Sequence, residues 1–354
     1  MKNLSKQSGI SLVELMISIT IGLILMTGVV QLFLSSRATF STQQGLARVQ
    51  ETGRLAVEFL AEDIRMAGYM GCMSKKLNFT NTLNDSDTVA FDFEIGIEGL
   101  DNVGATVDDG YPDNIIQGTD VLVVRGANGN GIGVTRNNES GQLFAENSGV
   151  AATCDDKEAS FSGLCENDIL VVSDCQKARV FQATNLTATG GAVEINIVHS
   201  KDGSAEPGNN VASWGGNSSK DPDEKFGPDS QIIKMNTMVY YIANGTSGIP
   251  SLFRSVNGSA GQELLEGVQN LQITYGRDTN SDKVPDDYQT ATEVGTAWEE
   301  VTSVRLELLV QSTEDNVLED PQPYTFNGAT ENSPGDRRLR QVFINTVGIR
   351  SRLP

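Results

Sequence analysis

The sequence predicts an α+β protein in which a long N-terminal helix, first transmembrane and then amphipathic, packs on an antiparallel β-sheet domain. Three observations support this prediction. Residues 15–36 contain no charged side chain and are almost all apolar or small. Apolar residues then recur at three- and four-residue steps as far as residue 67. Beyond residue 72, short apolar segments alternate with polar, glycine-rich stretches.

The uncharged run is long enough to cross a membrane. At about 1.5 Å per residue, a helix of about 22 residues spans the roughly 30 Å hydrocarbon core of a bilayer. Lys2 and Lys6 precede this run, and basic residues favour the cytoplasmic side. We therefore expect a single-pass protein of a bacterial inner membrane with its body in the periplasm.

Glu14, at the edge of the run, is not explained by a plain membrane anchor. A carboxylate in the bilayer costs about 2.5–3.5 kcal/mol on insertion scales, so it needs a partner or a function. A secretory signal peptide explains neither the length of the run nor the poor cleavage site at residues 34–37. Cleavage between Gly9 and Ile10 would leave the apolar helix in place and create an amine one helical turn from Glu14.

The segment from Gly9 to Glu14 resembles the type IV prepilin signature: a basic leader, a glycine, an apolar residue and then Ser-Leu-Val-Glu-Leu. The resemblance implies that prepilin peptidase cuts after Gly9 and that Ile10 becomes the N-methylated terminus. It also implies that Glu14 pairs with the amine of a neighbouring subunit during assembly. The sequence alone equally permits pairing within one chain.

The helix is expected to continue beyond the membrane. No proline occurs before Pro112, and Gly68 is suited to cap the helix end. The apolar stripe of the second half is open to two interpretations, a contact with the body of the same chain or a surface for a partner helix. The predicted organisation is a leader at 1–9, a transmembrane and assembly helix at 10–36, its amphipathic periplasmic half at 37–68, and a disulfide-bonded β-rich domain at 69–354.

The overall composition indicates an acidic, loop-rich β protein. The 354 residues carry a formal net charge of -20, with 36 glycines, 10 prolines and 6% aromatic residues. A surface this acidic repels nucleic acid, so we expect no direct nucleic-acid binding.

Four cysteines fit the oxidising periplasm and allow three pairings as two disulfides. A strand at 169–172 would hold Cys165 and Cys175 roughly 30 Å apart, far beyond disulfide reach. This argues against a Cys165–Cys175 bond. Of the two pairings left we favour Cys154–Cys165, which closes a local loop, together with Cys72–Cys175, which ties the helix end to the sheet. Cys72–Cys165 together with Cys154–Cys175 remains the alternative.

Several segments beyond residue 72 are rich in β-branched and aromatic residues and predict strands. Residues 126–140 and 200–230 are expected as long loops and candidate contact surfaces, the second with an exposed Trp214. The predicted strands are residues 88–93, 120–124, 169–172, 178–181, 193–198, 238–242, 252–254, 268–275 and 304–310.

One acidic stretch has the oxygen spacing of a calcium loop, with side-chain oxygens at alternate positions and a backbone carbonyl as a further ligand. Lys283 replaces the glycine of the EF-hand turn, and Gln289 stands where its bidentate Glu belongs. An Asx-rich turn without an ion is the alternative. The candidate calcium ligands are Asp278, Asn280, Asp282, Val284 and Asp286.

No enzyme is predicted. His199 is the only histidine, and a position on a strand face is its simpler interpretation. The glycine-rich residues 126–131 lack the lysine and the following helix of a phosphate loop. A glycosidase built from scattered acids is the enzymatic alternative.

Further short segments resemble PilW-type minor pilins, a family similar to the type II secretion pseudopilin J. They include residues 62–69, 265–269, 304–309 and 340–353. The resemblance implies a pilin-like fold and a minor pilin that primes type IV pilus assembly and is incorporated at the tip. A type II secretion minor pseudopilin and a tip adhesin are the alternatives.

The same resemblance implies the partners and the location of the protein. The expected partners are prepilin peptidase, other minor pilins, the major pilin and the inner-membrane assembly platform. The protein is expected first in the inner membrane and then in the pilus. The arginines of residues 337–352 stand out in this acidic chain and either pair internally or dock a neighbouring pilin.

Overall fold

One long helix and several antiparallel sheets organise the chain. The computed structural model describes residues 9–72, 78–150, 154, 160–189, 193–201, 206–211, 213–331 and 335–353. Helix α1 is Leu12–Arg65, and the short helix α2 is Ala291–Val294. The strands are β1 (Phe79–Asn81), β2 (Ile97–Leu100), β3 (Val121–Gly133), β4 (Gln142–Glu146), β5 (Ser160–Phe161), β6 (Leu164–Cys165), β7 (Ile169–Ser173), β8 (Ala178–Gln182), β9 (Asn185–Thr189), β10 (Glu194–Val198), β11 (Gln231–Asn244), β12 (Pro250–Val256), β13 (Gln262–Glu266), β14 (Val268–Arg277), β15 (Asp287–Gln289), β16 (Val301–Gln311), β17 (Tyr324–Phe326), β18 (Ala329–Glu331) and β19 (Arg340–Gly348).

Helix α1 begins and ends with recognisable caps. The Ser11 hydroxyl accepts a hydrogen bond from the Glu14 backbone N–H at 3.3 Å, and the Glu14 carboxylate in the first turn complements the helix dipole. At the other end Met66 is the cap, and Gly68 follows with φ of 68°. The left-handed conformation at Gly68 turns the chain out of the helix axis at the place predicted from the sequence.

An eight-stranded sheet forms the centre of the body, with β11 as its middle strand. β3 pairs along one side of β11, while β7 and β12 pair with successive parts of its other side. β1 and β8 extend the sheet beyond β7, β13 extends it beyond β12, and β2 extends it beyond β3. Among the described strands, every pairing is antiparallel except that of β1 with β8.

The C-terminal half of α1 packs on a second, four-stranded sheet with the order β15-β14-β16-β19. The buried stripe of the helix faces this sheet and includes Val49, Ala56 and Leu60. Two glycines allow the close approach: Gly45 lies against the Val317 side chain and Gly53 against the Phe343 ring. The predicted α+β class is therefore confirmed, and this part of the stripe contacts the body of the same chain.

A three-stranded sheet, β4-β10-β9, closes a second core over the eight-stranded sheet. Trp214 is only 2% exposed there, so its predicted exposure is wrong. Its ring stacks on His199 with a centroid distance of 4.1 Å and meets Phe181 and Phe226 edge-on. The Trp214 side chain is thus part of the core, because its packing against other aromatic rings outweighs the polar composition of its sequence neighbours.

Two further sequence predictions are wrong. Residues 126–133 belong to β3 and not to a loop, because they pair with β11 across positions such as Ala127 and Met235. Residues 88–93 form turns and not a strand. The Thr88 carbonyl accepts hydrogen bonds from the N–H groups of Phe91 and Asp92. These local bonds take the place of the hydrogen bonds that a strand would make with a neighbouring strand.

Candidate functional site

The N-terminal half of α1 is an apolar helix whose most apolar window is left uncovered by the described parts of the body. Gly9 and Ile10 are exposed and precede the helix, and Ile10 is 73% exposed. The helix is long and apolar enough to cross a membrane, and its most apolar window is not buried by any described part of the chain. Such a surface needs lipid or other apolar helices around it.

Glu14 is exposed on this apolar helix, and only its backbone is held, by the cap with Ser11. Within the described part of the chain, its carboxylate accepts no hydrogen bond from another residue. The structure thus presents an exposed acid four residues after Ile10, and none of the residues described here pairs with its carboxylate.

At its other end, α1 joins the sheets through backbone contacts. The Gly68 N–H donates to the Arg125 carbonyl at 2.8 Å, and the Ala127 N–H donates to the Tyr69 carbonyl at 2.7 Å. This approach needs glycine on the sheet side. A Cβ at Gly96 would lie 2.6 Å from the Gly68 Cα, and one at Gly126 would lie 2.6 Å from the Met66 carbonyl oxygen.

A buried polar contact fixes the last turn of α1. The Tyr240 hydroxyl on β11 donates to the Asp63 carboxylate. Burial raises the pKa of Asp63, while the bond from Tyr240 and the nearby Arg254 act in the opposite direction. Burial likewise raises the pKa of Tyr240. Sequence reasoning missed this contact because nothing in the local pattern around Asp63 distinguishes it from its solvated acidic neighbours.

Two disulfides hold the region beyond the helix. Cys72 bonds to Cys175 in the turn between β7 and β8, and Cys154 bonds to Cys165. This is the pairing that the sequence favours. The first bond attaches the segment just beyond the end of α1 covalently to the eight-stranded sheet.

The candidate calcium loop is organised by its own hydrogen bonds. The Asp278 carboxylate accepts from the N–H groups of Asn280, Asp282 and Lys283 at 2.8–3.2 Å. The Asp286 carboxylate accepts from the backbone and side chain of Thr279. Among the residues whose positions are known, no group of three or more His, Cys, Asp or Glu side chains could hold a metal ion. The geometry favours the Asx-turn alternative, and calcium stays a prediction.

A titration with calcium separates the two interpretations. If the loop of residues 278–286 binds the ion, millimolar calcium should raise the melting temperature, and Asp282→Ala should remove that gain. If the loop is only an Asx turn, calcium should have no effect on the wild type, because the carboxylates already accept internal bonds. Thermal unfolding with magnesium as the control ion measures the difference.

The C-terminal arginines serve mainly their own chain. Arg340 is 4% exposed and donates to the Asp336 carboxylate at 2.6 and 2.8 Å. The Arg352 guanidinium donates to the carbonyls of Trp298 and Val301, and burial lowers the pKa of Arg352 to about 10. These contacts favour internal pairing over docking of a neighbour.

The single histidine offers little for catalysis. His199 is fully buried between aromatic rings, and burial lowers its pKa to about 4. The imidazole therefore has no access to a substrate in solution. The structure brings neither it nor the candidate calcium ligands to the N-terminal segment of residues 9–14.

Comparison with known proteins finds a family match near each end of the chain. A family model described as Type IV Pilus-assembly protein W matches residues 239–351. A model of the prokaryotic N-terminal methylation motif matches residues 4–30. No curated protein gives a significant match.

Among solved structures, a type IV-like pilin, TTHA1219 from Thermus thermophilus, is similar at 15% identity. The similarity covers 34% of this chain and 67% of that one, with a TM-score of 0.21. A similarity this low supports no argument of its own. The two family models match separate parts of the chain, and the chain is similar to the methylation motif at residues 4–30 and to the PilW pilus-assembly family at residues 239–351.

Proposed function

We propose that this chain is a minor pilin that primes assembly of the type IV pilus and is incorporated into it at the tip. The observation that carries the proposal is the division of α1 into two halves. One half is apolar, uncovered and preceded by the methylation motif, while the other half is packed on the body. A helix built in this way attaches a body to a bundle of like helices.

Assembly would begin with removal of residues 1–9 by prepilin peptidase on the cytoplasmic side. The cut leaves a charged amine on Ile10 and the Glu14 carboxylate one turn away, both at the edge of the bilayer. Each charge is costly in lipid, and each lowers the cost of the other when they pair. Pairing between subunits would set the axial step from one helix to the next, and pairing within a chain would not.

The size of the body supports a position at the tip. Packed helices lie about 8–10 Å apart, whereas a body of about 280 residues has a radius of gyration of about 19 Å. Stacking many such bodies along one bundle creates steric conflict, and the end of the bundle avoids it. The other minor pilins, the major pilin and the inner-membrane platform are the partners that this role requires.

Replacing the leader glycine tests the processing step. We expect Gly9→Val to accumulate as an uncut, membrane-retained precursor, because the side chain obstructs the backbone at the cleavage site. Intact mass and N-terminal sequencing from cells with prepilin peptidase should find the wild type beginning at Ile10, with one added methyl group. Normal processing of Gly9→Val would refute the leader assignment.

Replacing the acid tests the assembly step separately. We expect Glu14→Ala to be processed normally but to be depleted at least tenfold from purified pili, because the amine of its neighbour has lost its partner. Immunoblots of sheared pili and membranes measure this ratio. Glu62→Ala, an exposed acid farther along the same helix, is the matched control. Equal incorporation of both variants would contradict the proposed pairing.

A further inference from the structure

Strand β19 ends the four-stranded sheet, and one of its two edges is open. The strand pairs with β16 along its whole length, from Arg340 to Gly348, without a register shift. On the other edge the Gln322 side chain accepts from the Arg340 N–H at 3.1 Å, so the open part begins at Val342. The other described strands that end a sheet are two to five residues long, whereas β19 has nine. Among the described strands, β19 therefore presents the longest sheet edge.

The backbone groups on the open edge belong to alternate residues. Just beyond the strand, the Ile349 N–H donates to the Thr302 carbonyl of β16 at 2.9 Å. Because successive residues of a strand direct their backbone groups to opposite edges, the odd-numbered residues of β19 bond to β16. Val342, Ile344 and Thr346 therefore direct their N–H and carbonyl groups away from β16. No residue in the described ranges bonds to these groups.

This edge lacks the features by which proteins protect sheet edges from pairing. A protected edge is very short, or it carries a charge, a proline or a bulge. Residues 341–349 contain neither a charged residue nor a proline, Ile344 is 56% exposed, and Thr346 is also exposed. By contrast, the edge strand β13 carries two glutamates, and its pairing with β12 contains a register shift. The open edge of β19 is thus suited to pairing with another strand.

The direction of β19 restricts which strand can pair with it. Gly53 of α1 lies against the Phe343 ring, and just beyond the ends of both elements the Ser351 hydroxyl donates to the Ala67 carbonyl at 3.0 Å. Strand β19 therefore runs in the same direction as α1, away from the apolar half of the helix. Antiparallel pairing of β19 with β19 of a second copy would point the two helices in opposite directions. Two helices that cross one membrane in the same sense cannot adopt that arrangement.

We propose that the open edge of β19 docks an extended, uncharged strand of a different membrane-anchored subunit, which runs antiparallel to β19 and hence towards the membrane. The shared orientation of the two subunits rests on the proposed function. The outward N–H and carbonyl groups of Val342, Ile344 and Thr346 bond to the incoming strand, and the Ile344 side chain packs on its apolar residues. The other described edge strands of this chain are too short to cover β19, so the partner is another protein.

Photo-crosslinking of the full chain in the cells that produce it locates the docking. The photoreactive residue p-benzoylphenylalanine replaces Ile344, and the same replacement of Val284, an equally exposed apolar residue outside β19, is the control. We expect position 344 to give one discrete product with another membrane-anchored chain, at least tenfold more abundant than any product from position 284. Absence of a product from position 344 in membranes would overturn the proposal. A product made of two copies of this chain would overturn it as well.

Two substitutions at one position separate backbone pairing from side-chain contact. Thr346→Pro removes the outward N–H, whereas Thr346→Val keeps it with a side chain of nearly the same shape. Edge strands tolerate proline where the N–H faces outward, so both variants should melt within about 4 °C of the wild type. Thr346→Pro should reduce the product from position 344 at least tenfold, and Thr346→Val should leave it unchanged. Equal amounts of product from the two variants would contradict strand pairing.

Amide hydrogen exchange provides a second measurement that needs no substitution. In the detergent-solubilised chain, the amides of Val342, Ile344 and Thr346 should exchange at least tenfold faster than those of Phe343 and Asn345, which bond to β16. In membranes isolated from the producing cells, the three fast amides should become protected. Equally fast exchange in membranes would refute the docking.

These measurements in membranes do not depend on entry into the pilus. Crosslinking and protection in membranes, for a chain that never enters pili, would support the docking edge and refute the proposed function. A chain that enters pili without crosslinking or protection at β19 would do the reverse.

Discussion

Replacing Gly96 by alanine is expected to lower the free energy of unfolding by about 2–3 kcal/mol. A Cβ at this position would lie 2.6 Å from the Cα of Gly68 and 2.7 Å from its nitrogen, so the conflict involves backbone that no rotamer change relieves. The helix end would have to move away from β3. That movement would lengthen the 2.8 Å bond from the Gly68 N–H to the Arg125 carbonyl.

Chemical denaturation of the full chain in detergent measures the loss. Gly141→Ala is the matched control, because nothing lies within 4 Å of its added Cβ. We expect that control to stay within about 0.5 kcal/mol of the wild type. Equal stability of Gly96→Ala and Gly141→Ala would show that the junction tolerates a side chain and that its close approach is not needed.

Acidification is expected to destabilise the protein through His199 by about 2 kcal/mol between pH 7.5 and pH 5. Burial, with a smaller contribution from Arg179, lowers the pKa of His199 from 6.5 to about 4. The unfolded chain therefore binds the proton more readily than the folded one. Stability is fully present above pH 6.5 and declines as the pH falls towards 4.

Comparison with His199→Phe isolates this effect. Asp120 acts with the opposite sign, because burial raises its pKa to about 7, and its contribution is lost as the pH rises through that value. The difference between the pH profiles of wild type and variant removes Asp120 and the other groups that they share. Parallel profiles between pH 7.5 and pH 5 would contradict the role of His199.

Local periodicity predicted much of this fold. The stripe on α1 follows from apolar residues at three- and four-residue steps, because one face of the helix meets the core. Strand β7 follows from a short apolar run, because every residue of this strand is buried. The rise of a single strand argued against a bond between Cys165 and Cys175 and so removed one of the three disulfide pairings. In each case the relevant distance lies within one element.

The errors and omissions involve distances between elements. The glycines of β3 look like a loop until the end of α1 is placed against Gly126, where a side chain would collide with Met66. Trp214 looks exposed among polar neighbours until Phe181 and Phe226 surround it. No local sequence pattern indicates which distant elements come into contact.

The bond between Cys72 and Cys175 has a mechanical consequence. Tension applied along α1 reaches residue 72 and passes directly through the sulfur atoms to the turn between β7 and β8. The two cysteines are 103 residues apart in the sequence, so the covalent path of the force bypasses the intervening chain while the bond is intact. Reduction would release about 340 Å of extensible chain, and a pulled molecule would then lengthen from its membrane end first.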